Sequence, residues 1–148
     1  MLRPWRFLTI SGDARLALGE LFLQAQRADV PEMTEMQCQR AQAKPLRAPL
    51  IIVVVATLTE HPKVPELEQL LSAGAAAQNL LVAAHAMGLG AMWRTGAMAY
   101  HDVVRQGLGL QAHERLIGYL YIGEVQSKSR LLPNLEVADF VTAWSSNG

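Results

Sequence analysis

The sequence has little of several features that define common protein classes. Among its 148 residues there is one cysteine, Cys38. A single cysteine excludes an intramolecular disulfide and a cluster of metal-binding thiolates, and it fits a reducing compartment. The 13 basic and 13 acidic residues balance, so the chain lacks the basic surplus typical of proteins that bind nucleic acid or an acidic membrane surface. The first ten residues contain no long apolar segment like that of a signal peptide. We therefore expect a cytoplasmic protein.

Familiar catalytic motifs are also missing. The sequence contains no GxSxG, HExxH or GxxxxGK[ST] motif. It therefore gives no sign of the serine-hydrolase, zinc-protease or nucleotide-phosphate sites that those motifs mark. The four histidines have no spacing typical of metal ligands, so we expect no metal site. The pair Gly88-x-Gly90 follows a helical pattern, whereas a dinucleotide fingerprint follows a strand. The length is that of one domain.

What the sequence does contain is a long segment of apolar and small residues from Leu70 to Gly96. It carries no charge before Arg94 and has no single apolar stripe, which predicts a helix buried on all sides. The small residues from Ser72 to Ala77 allow a second helix to approach its backbone closely. Gly88 and Gly90 are expected to end the helix, because glycine readily adopts the left-handed conformation found just past a helix end.

This segment is also long enough to span a bilayer, which takes about 20 mostly apolar residues. Gln78, Asn79 and His85 lie within it, and alanine favours membrane insertion less than leucine does. We therefore favour a buried core or interface helix over a membrane span.

The rest of the chain predicts a mixed α/β sandwich. β-branched and aromatic residues predict three strands, namely Arg6–Ser11, Leu50–Ala56 and Arg115–Gly123. Asp13 is a candidate N-cap for an amphipathic helix, and a short helix is expected from His101 or Asp102 to about Gln106.

The polar segment from Arg27 to Lys44 is interpreted as a surface connector or solvent-facing helix, with Pro31 at a helix start. The tail sequence NLEVADFVTAW is predicted to form an edge strand or an arm.

The exit of the long helix carries the most chemically useful residues. A planar cofactor needs apolar walls, donors for its ring heteroatoms and a cation for any phosphate, and it can itself supply the redox chemistry. Trp93, Arg94, the N–H groups of Thr95 and Gly96, and Lys128 are of the right kinds. Each also has an ordinary structural explanation: Trp93 as a core anchor, Arg94 as a cap on helix carbonyls, and Lys128 as a solvated lysine.

At these residues the chain resembles the FMN-dependent nitroreductase family, and within it the subgroup of minimal nitroreductases. Four segments match in order along the chain, from Pro4 to Lys128: PWRFLTI, APLIIVVVA, SAGAAAQNLLVAAHAMGLGAMWRTG and LIGYLYIGEVQSK. The most specific of them is the long helix that runs into GLGAMWRTG.

The resemblance implies a nitroreductase-like three-layer α-β-α sandwich with a mixed, mainly antiparallel sheet, and an intimate homodimer with FMN at the interface. NADH or NADPH would be the electron donor. Electrons would pass through flavin N5 to a nitroaromatic, a quinone or a similar acceptor by a ping-pong mechanism, so no catalytic side chain is expected.

The resemblance also implies a set of FMN contacts. They are Trp93, Arg94, Thr95, Gly96, Lys128, Pro4 and Trp5. The first four would lie against the isoalloxazine ring. Lys128 would approach the phosphate or ribityl chain, and the last two would lie close to the pocket.

The N-terminus departs from the family pattern. Members usually begin with a helix preceded by an Arg-Arg-Ser or similar motif, whose arginines hold the FMN phosphate. This chain begins instead with Met1-Leu2-Arg3-Pro4-Trp5. We expect one domain over residues 1–148 without that helix, with residues 124–148 as a C-terminal arm. Losing two or three charge-assisted bonds weakens binding by about two to five decades. The second hypothesis is therefore a flavin-free dimeric scaffold or small-molecule-binding protein with the same fold.

Overall fold

The computed structural model describes residues 2–126 and 133–145. The strands are β1 (Trp5–Ser11), β2 (Leu50–Thr57), β3 (Gly90–Arg94) and β4 (Glu114–Gly123). The α-helices are α1 (Ala14–Asp29), α2 (Glu35–Ala43), α3 (Glu66–Ala86), α4 (Ala97–Tyr100) and α5 (Asp102–Gly107). Short 3-10 helices cover Lys44–Arg47 and Val137–Asp139.

The described strands form one sheet in the order β1-β2-β4-β3, and each of its three pairings is antiparallel. The two central strands, β2 and β4, are the most apolar, and residues 53–56 of β2 are fully buried. A strand reads as a continuous apolar run when both faces of its sheet are covered. The three strands predicted from β-branched and aromatic residues are confirmed to within two residues at each end.

Helices cover both faces of the sheet. On one face, α1, α4 and α5 pack over Val53, Val55 and Tyr119. On the other face, α3 packs over Val54, Leu120 and Ile122. The result is the three-layer α-β-α sandwich that the resemblance implies.

Helix α3 is buried on only one side within a single chain. Its buried residues are Gln69, Ala73, Ala77 and Ala84, whereas Leu67, Leu71 and Val82 on other sides are largely exposed. The prediction of burial on every side is therefore wrong for one chain, because nothing in the described residues covers the outward face. In the described part of the chain, no helix is sufficiently long and apolar to cross a membrane.

The end of α3 follows the glycine prediction in part. Gly88 has a φ of 75°, its N–H donates to the carbonyl of His85 at 2.9 Å, and the next N–H donates to the carbonyl of Ala84 at 2.9 Å. These two bonds satisfy carbonyls that the helix leaves free at its end. Gly90, by contrast, begins β3, a strand that the sequence pattern did not predict.

Two expectations for helix starts differ from the structure. Asp13 directly precedes α1, but its side chain makes no capping hydrogen bond. Pro31 starts no helix and lies in the link after α1. Helix α2 instead begins after Thr34, which forms a capping box with Gln37. The prediction for Pro31 is wrong because the capping box supplies a stronger start signal three residues later.

The described part of the tail, residues 133–145, contains a 3-10 helix and no strand. Its apolar side chains are exposed, including Phe140 and Trp144. The described part of the tail therefore adds no strand to the sheet.

A partly buried ion pair between Arg6 and Glu114 joins β1 to β4. Glu114 is 3% exposed and accepts hydrogen bonds from Arg6 Nε at 2.5 Å and Nη2 at 2.7 Å. It also accepts one from the N–H of Gln111 at 2.9 Å. Chiefly because of the hydrogen bond from Arg6, the pKa of Glu114 falls from 4.5 to about 2.

Candidate functional site

A cleft opens where β3 ends at the edge of the sheet. The link of Thr95 and Gly96 joins β3 to α4, and this link, the inner side of α1 and the 3-10 helix before β2 surround a cavity of about 290 Å³. We refer to this cavity as the Arg94 cleft. Its lining residues are Phe22, Gln26, Lys44, Arg47, Arg94, Thr95, Gly96, Ala97, Met98, Tyr119 and Tyr121.

A second cavity of about 400 Å³ adjoins the Arg94 cleft. The two share four lining residues, namely Gln26, Lys44, Ala97 and Met98. The second cavity extends between α1 and α2, where Val30, Met33 and Ala41 give it an apolar floor. Together the two cavities form an elongated depression with Lys44 at its middle.

The Arg94 cleft concentrates positive charge. Lys44, Arg47 and Arg94 line it, and no carboxylate does. In the part of the chain that the structure describes, none of the three forms a salt bridge or a side-chain hydrogen bond. Desolvation and the neighbouring Arg47 lower the pKa of Lys44. Because the chain as a whole has a formal net charge of zero, three cations around one cavity favour an anionic ligand there.

Aromatic side chains form the wall of the cleft on the sheet side. Phe22 and Tyr119 meet edge to face, with ring centroids 5.5 Å apart. The Tyr119 hydroxyl donates to the carbonyl of Met98 at 2.9 Å, which ties the start of α4 to the sheet. Burial raises the pKa of both Tyr119 and Tyr121, so both rings are neutral at physiological pH. Phe22 and Tyr119 are 2% and 1% exposed, so the wall is a fixed, uncharged aromatic lining at the base of the cleft that exposes little ring surface.

The Thr95–Gly96 link offers backbone donors. Gly96 has a φ of 70°, a left-handed conformation that favours glycine. Among the described residues, the structure records no acceptor for the N–H groups of Thr95 and Gly96. Two free N–H groups beside a cation are suitable partners for the heteroatoms of a polar ring edge.

The structure brings three of the predicted site residues together and separates the others. Arg94, Thr95 and Gly96 all line the cleft. The indole of Trp93 packs on the opposite face of the sheet, towards α3, because successive residues of a strand point to opposite faces. Contact between the Trp93 side chain and a ligand in the Arg94 cleft of the same chain is therefore excluded by this placement.

Pro4 and Trp5 lie at the other edge of the sheet. Trp5 is the first residue of β1 and packs beside Phe7, with ring centroids 5.6 Å apart. Three strand spacings separate β1 from β3, which is about 14 Å. Pro4 and Trp5 consequently do not line the Arg94 cleft of their own chain. The predicted contact from Lys128 lies outside the described residues.

Sequence reasoning missed Lys44, Arg47 and the aromatic wall. Lys44 ends the polar segment that was interpreted as a surface connector or solvent-facing helix, and Arg47 lies just beyond it, between Pro45 and Pro49. A usable signal was present in the sequence. Two basic residues, Lys44 and Arg47, lie three positions apart shortly before the buried strand β2, and a strand of that kind fixes the chain that leads into it. The sequence pattern of Arg115–Gly123 predicted Tyr119 only as a strand residue, because that pattern does not show which helix covers the ring.

Comparison with known proteins places this architecture in a family. The family model described as the nitroreductase family matches residues 1–124. The chain belongs to the nitroreductase family. It is therefore a member of a family of oxidoreductases, as the resemblance implied.

Two bacterial relatives illustrate the similarity in sequence. The chain is 37% identical over 142 residues to YdjA of Escherichia coli (strain K12), which bears the name NAD(P)H nitroreductase, and the match covers 95% of the chain and 76% of YdjA. It is 32% identical over 143 residues to a protein of the same description from Haemophilus influenzae, covering 95% and 77% of the two chains. The similarity to YdjA fits the minimal subgroup.

Solved structures share the fold at lower identity. A nitroreductase-like family protein from Bacillus cereus has a TM-score of 0.79 and 22% identity, over 95% of this chain and 73% of its own. The FMN-dependent nitroreductase NfnB from Mycobacterium smegmatis, solved in complex with NADPH, has a TM-score of 0.69 and 19% identity, over 96% and 79%. At these identities the likeness concerns the fold.

Proposed function

We propose that this chain is an FMN-dependent NAD(P)H oxidoreductase that uses the Arg94 cleft to hold the flavin ring. The observation that carries the proposal is the combination, in one cleft, of an aromatic wall with three cations and two backbone donors that have no partner among the described residues. Those are the features that binding and tuning a flavin require. Membership of the nitroreductase family supports the same assignment.

The residues of the cleft fit a flavin in kind. The N–H groups of Thr95 and Gly96 would donate hydrogen bonds to ring heteroatoms, and Lys44 and Arg94 would stabilise negative charge on the ring. The wall formed by Phe22 and Tyr119 excludes water from one side. When bound, FMN supplies the hydride and electron transfer, so the protein needs no catalytic acid or base.

The size of the cleft indicates that one chain holds only part of the cofactor. A cavity of about 290 Å³ is just below the range of about 300–1,000 Å³ for ligand pockets. We assign the ring to this cavity. We assign the phosphate or ribityl chain to Lys128, in the proposed C-terminal arm of residues 124–148. Because Pro4 and Trp5 are far from Arg94 in their own chain, we assign them to the cleft of a second copy.

A homodimer accounts for the exposed face of α3. Leu67, Leu71 and Val82 expose apolar side chains on a helix whose other side is packed on the sheet, and contiguous exposed apolar surface marks an interface. The apolar side chains of the tail, including Phe140 and Trp144, are also uncovered. We propose that two copies associate through these surfaces into an intimate dimer.

The proposed reaction is ping-pong. NADH or NADPH first occupies the open side of the cleft, and a nitroaromatic, quinone or similar acceptor takes its place after the donor product leaves. The cations of the cleft attract the phosphates of the donor, and this attraction weakens as salt screens it.

The test is steady-state kinetics on the purified protein supplied with FMN. We expect oxidation of NADH or NADPH that depends on menadione or a nitroaromatic, with parallel lines in double-reciprocal plots at several acceptor concentrations. A dimer that neither takes up FMN nor oxidises either donor would instead support the flavin-free scaffold or small-molecule-binding protein. Intersecting lines would overturn the ping-pong order alone.

A further inference from the structure

The short edge strand β3 pairs with β4 along its whole length, and Trp93 is its side chain that packs in the cluster under α3. Its five residues are Gly90, Ala91, Met92, Trp93 and Arg94. Met92 is 53% exposed and Arg94 is exposed in the cleft, whereas Trp93 packs with the cluster under α3. An edge strand has only one neighbouring strand to fix it, so the packing of Trp93 under α3 adds a second anchor to the ladder with β4.

The Trp93 indole occupies the space above Gly118 of β4. A Cβ added to Gly118 would overlap the indole Nε1, would lie 2.7 Å from its Cδ1, and would lie 3.1 Å from the carbonyl oxygen of Arg94. Any other residue at position 118 therefore displaces the indole or the end of β3. Glycine at position 118 therefore leaves the space that the Trp93 indole fills.

A bulge in β4 supplies the polar partner of the indole. In the register between β2 and β4, Val54 faces Gly118 and Val55 faces Leu116, so Ile117 has no opposite residue. A bulge of this kind interrupts the regular ladder and can aim a group in a new direction. The Ile117 carbonyl accepts a hydrogen bond from Trp93 Nε1 at 3.4 Å.

The residues that follow Trp93 have few restraints of their own. The N–H groups of Thr95 and Gly96 have no recorded acceptor among the described residues, and Arg94 has no ion-pair partner there. Their position in the cleft consequently depends on the end of β3 on one side and, on the other, on the start of α4, which the Tyr119 hydroxyl holds to the sheet. Trp93 sets the end of β3 from the opposite face of the sheet.

We propose that Trp93, seated on Gly118 and the Ile117 bulge, is a positioning residue for the FMN site. It holds the Thr95 and Gly96 N–H groups in place for the flavin ring without touching the ring from within its own chain. The inference rests on the proposed function for the identity of the ligand. It differs from the contact role for Trp93 that the family resemblance implies.

The test uses variants at both members of the packed pair. Gly118→Ala introduces the overlap with the indole, Trp93→Ala removes the indole, and the double variant removes the overlap together with the indole. Trp93→Phe keeps most of the ring volume and loses the N–H. Gly74→Ala is the matched control, because its new Cβ would lie 4.0 Å from the Trp93 ring, an ordinary contact. Gly107→Ala crowds Leu21 at 2.5 Å, away from the Trp93 pair.

Two readouts separate positioning from stability. The first is the Kd for FMN, titrated by quenching of flavin fluorescence into folded protein whose thermal unfolding has been recorded. The second needs no ligand: amide hydrogen exchange of residues 94–98. We expect Gly118→Ala and Trp93→Ala each to raise the Kd at least tenfold and to speed exchange at these residues. The double variant should lose less affinity than the sum of the two single losses, because both changes act on the contact between the indole and position 118, and only the 3.1 Å approach to the Arg94 carbonyl remains.

Trp93→Phe should lie between the wild type and Trp93→Ala, and both control variants should bind FMN within twofold of the wild type. Folded Gly118→Ala protein with wild-type FMN affinity and exchange would overturn the inference, as would strictly additive losses in the double variant. If the wild type does not bind FMN but exchange at 94–98 rises in Gly118→Ala, the proposed function fails and the positioning role remains.

Discussion

At the scale of single residues, the neighbours Trp93 and Arg94 show how a strand divides functional roles. Strand alternation sends the indole towards α3 and the guanidinium into the cleft. The motif that contains both residues was recognisable from the sequence. The opposite directions of their side chains could not be predicted, because Gly90–Arg94 gave no sign of a strand. The segment is short, begins with glycine and contains no β-branched residue.

Lys44 carries the charge at the middle of the cleft, so its removal should weaken FMN binding. Lys44→Gln is expected to raise the Kd for FMN about tenfold, which corresponds to the loss of one charge-assisted bond of about 1.5 kcal/mol. Equilibrium titration with FMN measures the effect. Lys63→Gln, in the exposed loop before α3, is the matched control and should leave the Kd unchanged. Equal affinity in the two variants would remove Lys44 from the site.

Glu114 should stabilise the fold in a pH-dependent way. Its pKa falls from 4.5 to about 2 on folding, so its contribution is fully present above about pH 4.5 and is lost as the pH falls towards 2. Each tenfold change in proton affinity corresponds to about 1.4 kcal/mol, and solvent screens the partly exposed Arg6. We therefore expect Glu114→Gln to lower the free energy of unfolding by about 2 kcal/mol at pH 7.

Urea unfolding between pH 3 and pH 7 measures this contribution. The difference between the wild type and Glu114→Gln should shrink as the pH falls below about 4.5. Glu32→Gln, at an exposed position between α1 and α2, serves as the control and should change the stability little. A difference for Glu114→Gln that is the same at pH 3 and pH 7 would show that the ion pair with Arg6 is not its source.

At the scale of elements, the predictable parts were those with strong periodic or compositional signals. The β-branched run at Leu50–Ala56 and the aromatic run at Arg115–Gly123 predicted the two central strands, since a strand covered on both faces needs apolar residues throughout. The long helix and its stop at Gly88 were equally clear. The 3-10 helix that presents Lys44 and Arg47 was not, because its place beside the cleft depends on contacts with α1 and α2 rather than on local pattern.

The stop signal of α3 should be measurable as backbone strain. Gly88→Ala forces alanine into a left-handed conformation at a cost of about 1–2 kcal/mol, and no other atom lies within 4 Å of the new Cβ. In a domain of this size we expect the Tm to fall by about 2–8 °C. Gly74→Ala, within the same helix, should leave the Tm unchanged or raise it, because alanine is the better helix former. Similar Tm changes in both variants would contradict the assignment.

At the scale of the whole molecule, the outward face of α3 is an apolar surface that the described residues of one chain do not cover. The sequence predicted an apolar helix without a polar face, and the structure covers one side of it. A single sequence does not say whether the remaining side meets the same chain or another one.

The proposed dimer should depend on this face. Leu71 is 63% exposed on this face. The variant Leu71→Glu would place a charge at the proposed interface, and an unpaired buried charge is strongly unfavourable. We expect light scattering with size-exclusion chromatography to report a dimer for the wild type and a monomer for Leu71→Glu. Leu16→Glu is the control, since Leu16 is 56% exposed on α1, away from α3. A dimer that survives Leu71→Glu would direct attention to the exposed tail instead.

The central claim is that the end of β3 and the Lys44 turn enclose a flavin ring. A crystal structure of the protein grown with FMN tests it most directly. The account predicts one isoalloxazine ring per chain in the Arg94 cleft, with its polar edge facing the N–H groups of Thr95 and Gly96 and the ammonium of Lys44. A ring bound elsewhere, or a cleft filled by the chain's own side chains in the presence of saturating FMN, would contradict it.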